Sequence, residues 1–119
     1  MESIVIAIPV DGITDWASFH DVFQRALGFP DLYGRNMDAW IDCMTSVDAP
    51  ADGLTTVTVR RGEVLVLRID DTFDFRRRCP EQYDALIECS AFVNFRRTEV
   101  GEPPVLALLL NGRYEPRYS

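Results

Sequence analysis

The chain has 119 residues, 47% of them hydrophobic, with three cysteines, one histidine, arginine as its only basic chain-forming residue besides that histidine, and a formal net charge of −7. That is enough for one domain with a proper core, too little for two, and too apolar for a disordered segment. Repulsion disfavours a nucleic-acid ligand, the lack of lysine removes a P-loop lysine and a Schiff-base nucleophile, and one histidine leaves little for zinc or for a Ser-His or Cys-His pair.

Ile4 to Ile8 is a continuous apolar run and predicts a strand buried on both faces. Pro9 ends it and Asp11-Gly12 turns the chain. Thr14 or Asp15 can cap a helix running to about Leu27, with Trp16, Phe19, Phe23, Ala26 and Leu27 on one stripe and Gly28 just past its end. His20 sits beside the stripe and reads as a helix-surface or core-edge residue, not a catalytic base. Phe29 to Arg35 is a loop. Asn36 is a good N-cap for a second helix to about Thr45, whose buried stripe is Met37, Trp40, Ile41 and Met44.

Val47 to Gly62 is a long connection in which Thr55 to Val59 is β-prone and suggests a short edge strand. Val64 to Ile69 is a second strand. Thr72 to Arg78 suggests one helical turn. Pro80 opens a third main helix ending near Phe95, with Tyr83, Leu86, Ile87 and Ser90 or Ala91 inward. Val105 to Leu110 is a third buried strand, and residues 112–119 read as a loose tail. Strands alternating with helices imply an α/β fold: one domain over 1–119, core about 4–110, with a three-stranded parallel sheet covered by helices.

No run is long enough for a membrane span and the N-terminus lacks a basic segment before an apolar one, so the expected location is cytoplasmic. Cys43, Cys79 and Cys89 are odd in number, lack metal-ligand spacing, and read as free thiols. Asp70-Asp71 reads as a strand end and helix entry. Arg76-Arg77-Arg78 and Arg96-Arg97 read as solvated or ion-paired faces, and the phenylalanines mostly as packing.

The charge is lopsided. Residues 1–52 carry nine acids against two arginines, whereas residues 53–119 carry ten of each, so the whole surplus lies in the first half. It would steer a basic partner inward. Asp38, Asp42 and Thr45 fall at i, i+4 and i+7 on the second helix, on a stripe distinct from the buried one. Two carboxylates one turn apart can be a solvated face. They can be a metal site, though a third ligand is lacking. They can also stand in for phosphates, because arginine-rich phosphate pockets accept carboxylates in the same bidentate manner.

The run Phe29-Pro30-Asp31-Leu32-Tyr33-Gly34-Arg35-Asn36-Met37-Asp38-Ala39-Trp40-Ile41-Asp42-Cys43-Met44-Thr45 resembles the signature of the barstar family, the intracellular inhibitors of barnase-type ribonucleases. The match lies in Pro30, Tyr33, Gly34, Asn36, Asp38, Ala39, Asp42, Cys43 and Thr45, in order and without gaps. It is sharp over 29–46 and extends as topology over about 4–110, with Val47 to Gly62 expected as an insertion.

The resemblance implies a one-to-one inhibitor without cofactor, metal or catalytic residues. Its nuclease-binding set is Leu32, Tyr33, Gly34, Asn36, Met37, Asp38, Ile41, Asp42, Thr45 and Ser46. Asp42 would occupy the catalytic phosphate subsite and Asp38 would meet a second basic residue. Thr45 would bond at the edge, Gly34 would admit close backbone approach, and Asn36 would cap the helix while touching the partner. Leu32 and Ile41 replace aromatics of the family pattern, and a further acid on the last helix has only Glu88 and Glu99 as candidates. The alternative is a barstar-like regulatory or immunity module for another basic protein or a different nuclease. A structural subunit of a larger assembly is a third class.

Overall fold

Three strands, β1 (Ser3–Ala7), β2 (Val64–Ile69) and β3 (Leu106–Leu110), pair in parallel in the order β1-β2-β3 in the computed structural model, which describes residues 3–113. Most of the expected tail therefore lies outside the described residues. The register sets Ser3 opposite Val64 and Leu65 opposite Leu106. In β2 the alternate residues Leu65, Leu67 and Ile69 are fully buried, which is the period-two signature of a strand packed hard on one face.

The expectation of strands buried on both faces fails for the outer two. β1 alternates exposed and half-buried residues, and full burial begins only at Ile8 beyond its end. In β3 Leu109 and Leu110 stay exposed. Both are edges, each with one open side, so an apolar run there reports the sheet and not two covered faces.

Four α-helices accompany the sheet among the described residues: α1 (Trp16–Leu27), α2 (Met37–Thr45), α3 (Thr72–Arg78) and α4 (Pro80–Glu99). Asp15 caps α1 in a reciprocal box: its carboxylate accepts from the Ser18 amide at 2.8 Å, and the Ser18 hydroxyl accepts from the Asp15 amide at 3.0 Å. Gly28 closes α1 with φ +68°, and a Cβ there would overlap Thr56. Two turns form at α3, where Asp74 pairs with Arg77 and Arg78. Arg78 also donates to the carbonyls of Ile13 and Val10. The inward residues of α4 are Gln82, Leu86, Ser90, Val93 and Arg97, whereas Tyr83 and Ile87 are half-buried and Ala91 is exposed.

The expected edge strand at Thr55 to Val59 does not form. The amides of Thr56 and Val57 donate to the Leu27 carbonyl (3.0 and 3.2 Å), and that of Val59 to Val47 (3.0 Å). Thr55 and Val59 are buried. The β-branched residues that suggested a strand thus serve as packing beneath the ends of α1 and α2.

Of the two arginines expected on a solvated or ion-paired face, Arg97 is ion-paired but buried, and α4 runs one turn beyond Phe95 to carry it. Its Nη1 and Nη2 grip the two oxygens of Asp48 (3.0 and 2.7 Å), both side chains being 6% exposed. Further donations go to the carbonyls of Thr45 (2.9 Å) and Pro103 (2.8 Å). One guanidinium thereby fastens the end of α2, the start of the connection to β2 and the approach to β3.

Candidate functional site

The loop before α2 is moored from beneath. Phe29 and Tyr33 are buried with ring centroids 4.7 Å apart, and the Tyr33 amide closes a turn on the Pro30 carbonyl at 2.9 Å. The Tyr33 hydroxyl and His20 Nδ1 are 2.6 Å apart in a hydrogen bond. Arg35 has φ +55°, a left-handed conformation that costs a non-glycine residue about 1 kcal/mol or more. Three donations from its guanidinium hold it there, to Asp21 at 2.8 Å, Gln24 at 3.1 Å and the Ala17 carbonyl at 3.0 Å.

Asn36 then caps α2, its side-chain oxygen accepting from the Ala39 amide at 2.8 Å. A Cβ on Gly34 would stand 3.3 Å from that of Ala39, so the loop passes close over the helix start.

On this base the expected site residues divide by depth. Leu32 (95% exposed), Gly34, Asn36, Asp38 and Asp42 lie at the surface. Met37, Thr45 and Ser46 are half-buried. Tyr33 and Ile41 face inward, the first turned to His20 and the second part of the buried stripe with Trp40, Cys43 and Met44. The Thr45 hydroxyl donates to the Ile41 carbonyl at 2.6 Å. Burial pushes the Cys43 thiol up to about 11, with the charge of Asp42 adding to it, so it remains a thiol near neutrality.

The last helix supplies what the sequence did not reveal. α4 packs beside α2 and brings Arg96 Nη1 to 3.0 Å from Asp42 Oδ1. The pair is exposed, at 42% and 60%, so it is worth little to stability, about 0–1 kcal/mol. Burial raises the Cys89 thiol, and the charges of Glu88 and Asp38 raise it further. Phe92 and Phe95 stack at 6.4 Å and stay half-exposed, unlike the packing role expected of phenylalanine here. Among the described residues no cluster of three His, Cys, Asp or Glu is placed to hold a metal, and no helix is long and apolar enough to cross a membrane.

Between the loop, α2 and the connection to β2 lies a shallow depression of about 450 Å³, bounded by Leu32 and Gly34, by Ala39, Asp42 and Cys43, and by Leu54.

His20 gives the mooring a pH dependence. It is 4% exposed, and burial first, then the positive Arg35, hold its imidazole below the usual value, with Asp21 opposing. The unfolded chain binds the proton at about 6.5. Stability is therefore complete above about pH 6.5 and falls as pH drops below it, where the unfolded state binds more protons. Asp15 and Asp74, whose carboxyls are held low by hydrogen bonds from Ser18 and from Arg78 and Arg77, lose their share only around and below pH 4. Urea midpoints should decline between pH 7 and 5, and His20→Gln should flatten that slope; an equal slope in the variant would assign it elsewhere.

A family model described as "Barstar (barnase inhibitor)" matches residues 4–107 of the chain. A curated Bacillus subtilis (strain 168) protein named "Putative ribonuclease inhibitor YrdF" is 56% identical over 32 residues. Those residues are 26% of this chain and 35% of the relative, so the chain spans about a third of the length of the curated relative it matches.

Proposed function

The chain belongs to the barstar family, and from that premise we propose that it is a protein inhibitor that binds one-to-one to a small basic ribonuclease in the cytoplasm and occludes its active site. The observation that carries the reading is the presentation of Asp38 and Asp42, exposed one turn apart on a capped helix behind a moored loop. Carboxylates so held can enter a pocket built for phosphates and accept bidentate bonds from arginine. Little loop ordering is left to be done on binding, which favours affinity. Catalysis forms no part of the reading, and neither does a metal, a cofactor or a nucleic-acid ligand.

The test is a titration of the chain into a barnase-type ribonuclease cleaving RNA, at low and physiological salt. The expected result is loss of cleavage with a break at one equivalent and slower association at higher salt, as screening shortens the reach of exposed charges. Undiminished cleavage at excess inhibitor would reject that class of target.

The Arg96–Asp42 pair sets a second expectation. An incoming nuclease cation must displace or share Asp42 with Arg96. Arg96→Gln should therefore speed association with the nuclease at low salt, by up to about fivefold if the pair is worth its usual 0–1 kcal/mol. Stopped-flow mixing would show it, and slower association would mean that Arg96 instead meets an acid on the partner.

A second reading is an immunity or regulatory module for another basic protein or a different nuclease. It is favoured by Leu32 and Ile41, where the family pattern has aromatics, and by the masking of Asp42.

A further inference from the structure

We infer that the outward stripe of α4 is a second contact surface for the basic partner, built around Phe92 and Phe95 and suited to arginine side chains. This rests on the inhibitor reading and adds to it a surface outside α2 and its loop, with a contact chemistry of its own. The spacing i, i+4, i+7 and i+11 puts Glu88, Phe92, Phe95 and Glu99 on one face of α4, and all four are exposed. The two rings stack with centroids 6.4 Å apart and stay 47% and 57% exposed. Leu86, Val93 and Arg97, on the opposite side of the helix, are buried. The stripe adjoins α2, because Arg96 at its edge reaches across to Asp42 at 3.0 Å.

Exposed apolar groups that cluster, with polar residues around them, mark contact sites. The charges choose the occupant. Glu88 stands one turn before Phe92, Glu99 one turn after Phe95, and Asp84 one turn before Glu88. None of these three acids enters an ion pair among the described residues. A second copy laid on this stripe would set acid against acid in a chain of net charge −7. An arginine satisfies both features at once: its flat guanidinium lies over a ring face while its N–H groups reach a neighbouring carboxylate. Each ring here has a carboxylate one turn away, so the stripe offers two such places in a row. A basic nuclease whose cation engages Asp42 already lies beside it. Aromatic anchors carry much of the energy of such interfaces. Where the family pattern has aromatics, this chain has Leu32 and a buried Ile41, whereas its exposed aromatics among the described residues are Phe92 and Phe95.

Paired variants test it as inhibitors of a barnase-type ribonuclease, with thermal melts confirming the fold. Phe92→Ser with Phe95→Ser should weaken inhibition about tenfold or more, through faster dissociation and at an unchanged melt. Glu88→Gln with Glu99→Gln should slow association at low salt and have less effect at high salt. Phe92→Leu with Phe95→Leu keeps apolar area but loses the ring faces, and should stay weaker than the intact chain; full potency in that variant overturns the arginine chemistry. Unchanged inhibition by the serine pair, where Asp42→Ala loses it, overturns the surface and leaves the inhibitor reading in place. Absence of inhibition by the intact chain rejects the reading for that nuclease and this surface with it. In sedimentation the chain alone should run as a monomer. A dimer that the serine pair abolishes would assign the rings to a second copy and overturn the proposal.

Discussion

Asp42→Ala should abolish most of the binding to a basic nuclease while leaving the fold intact. Asp42 caps nothing, and its exposed pair with Arg96 contributes little to stability. In a complex the balance differs. Removing one member of a desolvated, hydrogen-bonded charge pair typically costs about 2–5 kcal/mol, a range that the barnase–barstar complex itself helped to define. That corresponds to a loss of about thirtyfold to several thousandfold in affinity. This chain adds a contribution of its own, since the substitution also frees Arg96 and sets an unbalanced cation before a basic partner. Asp42→Ala combined with Arg96→Gln should therefore bind better than Asp42→Ala alone. Inhibition constants for the four proteins form a cycle that isolates this coupling. Equal inhibition by the intact chain and Asp42→Ala would remove Asp42 from the contact.

Arg97→Ala should be the most damaging single change to the fold. It would leave the Asp48 carboxylate buried without its partner and two carbonyls, of Thr45 and Pro103, without a donor. Breaking a buried ion pair from one side costs about 3–5 kcal/mol. In a domain of this size that is a fall of roughly 10 °C or more in melting temperature. Arg97→Met with Asp48→Leu should recover much of the loss, because no charge is then stranded. A melting point of Arg97→Ala close to that of the intact chain would show the pair to be dispensable.

These two arginines mark where the sequence stopped being informative. Strand and helix positions followed from local signals: apolar alternation in β2, the Asp15 and Asn36 caps, Gly28 after α1 and Pro80 at the head of α4. Those signals act within a few residues. Arg96 and Arg97 are adjacent and identical, yet one reaches the surface acid Asp42 and the other lies in the core with Asp48. Their fates depend on which face of α4 meets α2, a contact between segments some 50 residues apart.

The site was legible to the same degree. The acidic stripe could be read from spacing and the cap from residue type. That Tyr33 turns inward to His20, and that Leu54 closes a hollow beside Asp42, required the packing of distant segments. The edge-strand expectation at Thr55 to Val59 failed for a related reason, because β-branched residues suit any tight half-buried surface as well as a sheet.

The position of β2 between β1 and β3 has a kinetic consequence. Every rung of the sheet joins residues far apart in the chain, such as Ser3 with Val64 and Leu65 with Leu106. No hairpin is available to start it. Loop-closure entropy must be met before any rung forms, which places the chain among slower folders than a helical bundle of its length. As the chain leaves the ribosome, β1, α1 and α2 emerge before the strand that β1 pairs with, and β2 waits in turn for β3. The early helices must hold the apolar β1 segment until then, so substitutions that loosen α1 or α2 should lower the yield of folded protein more than they lower its final stability.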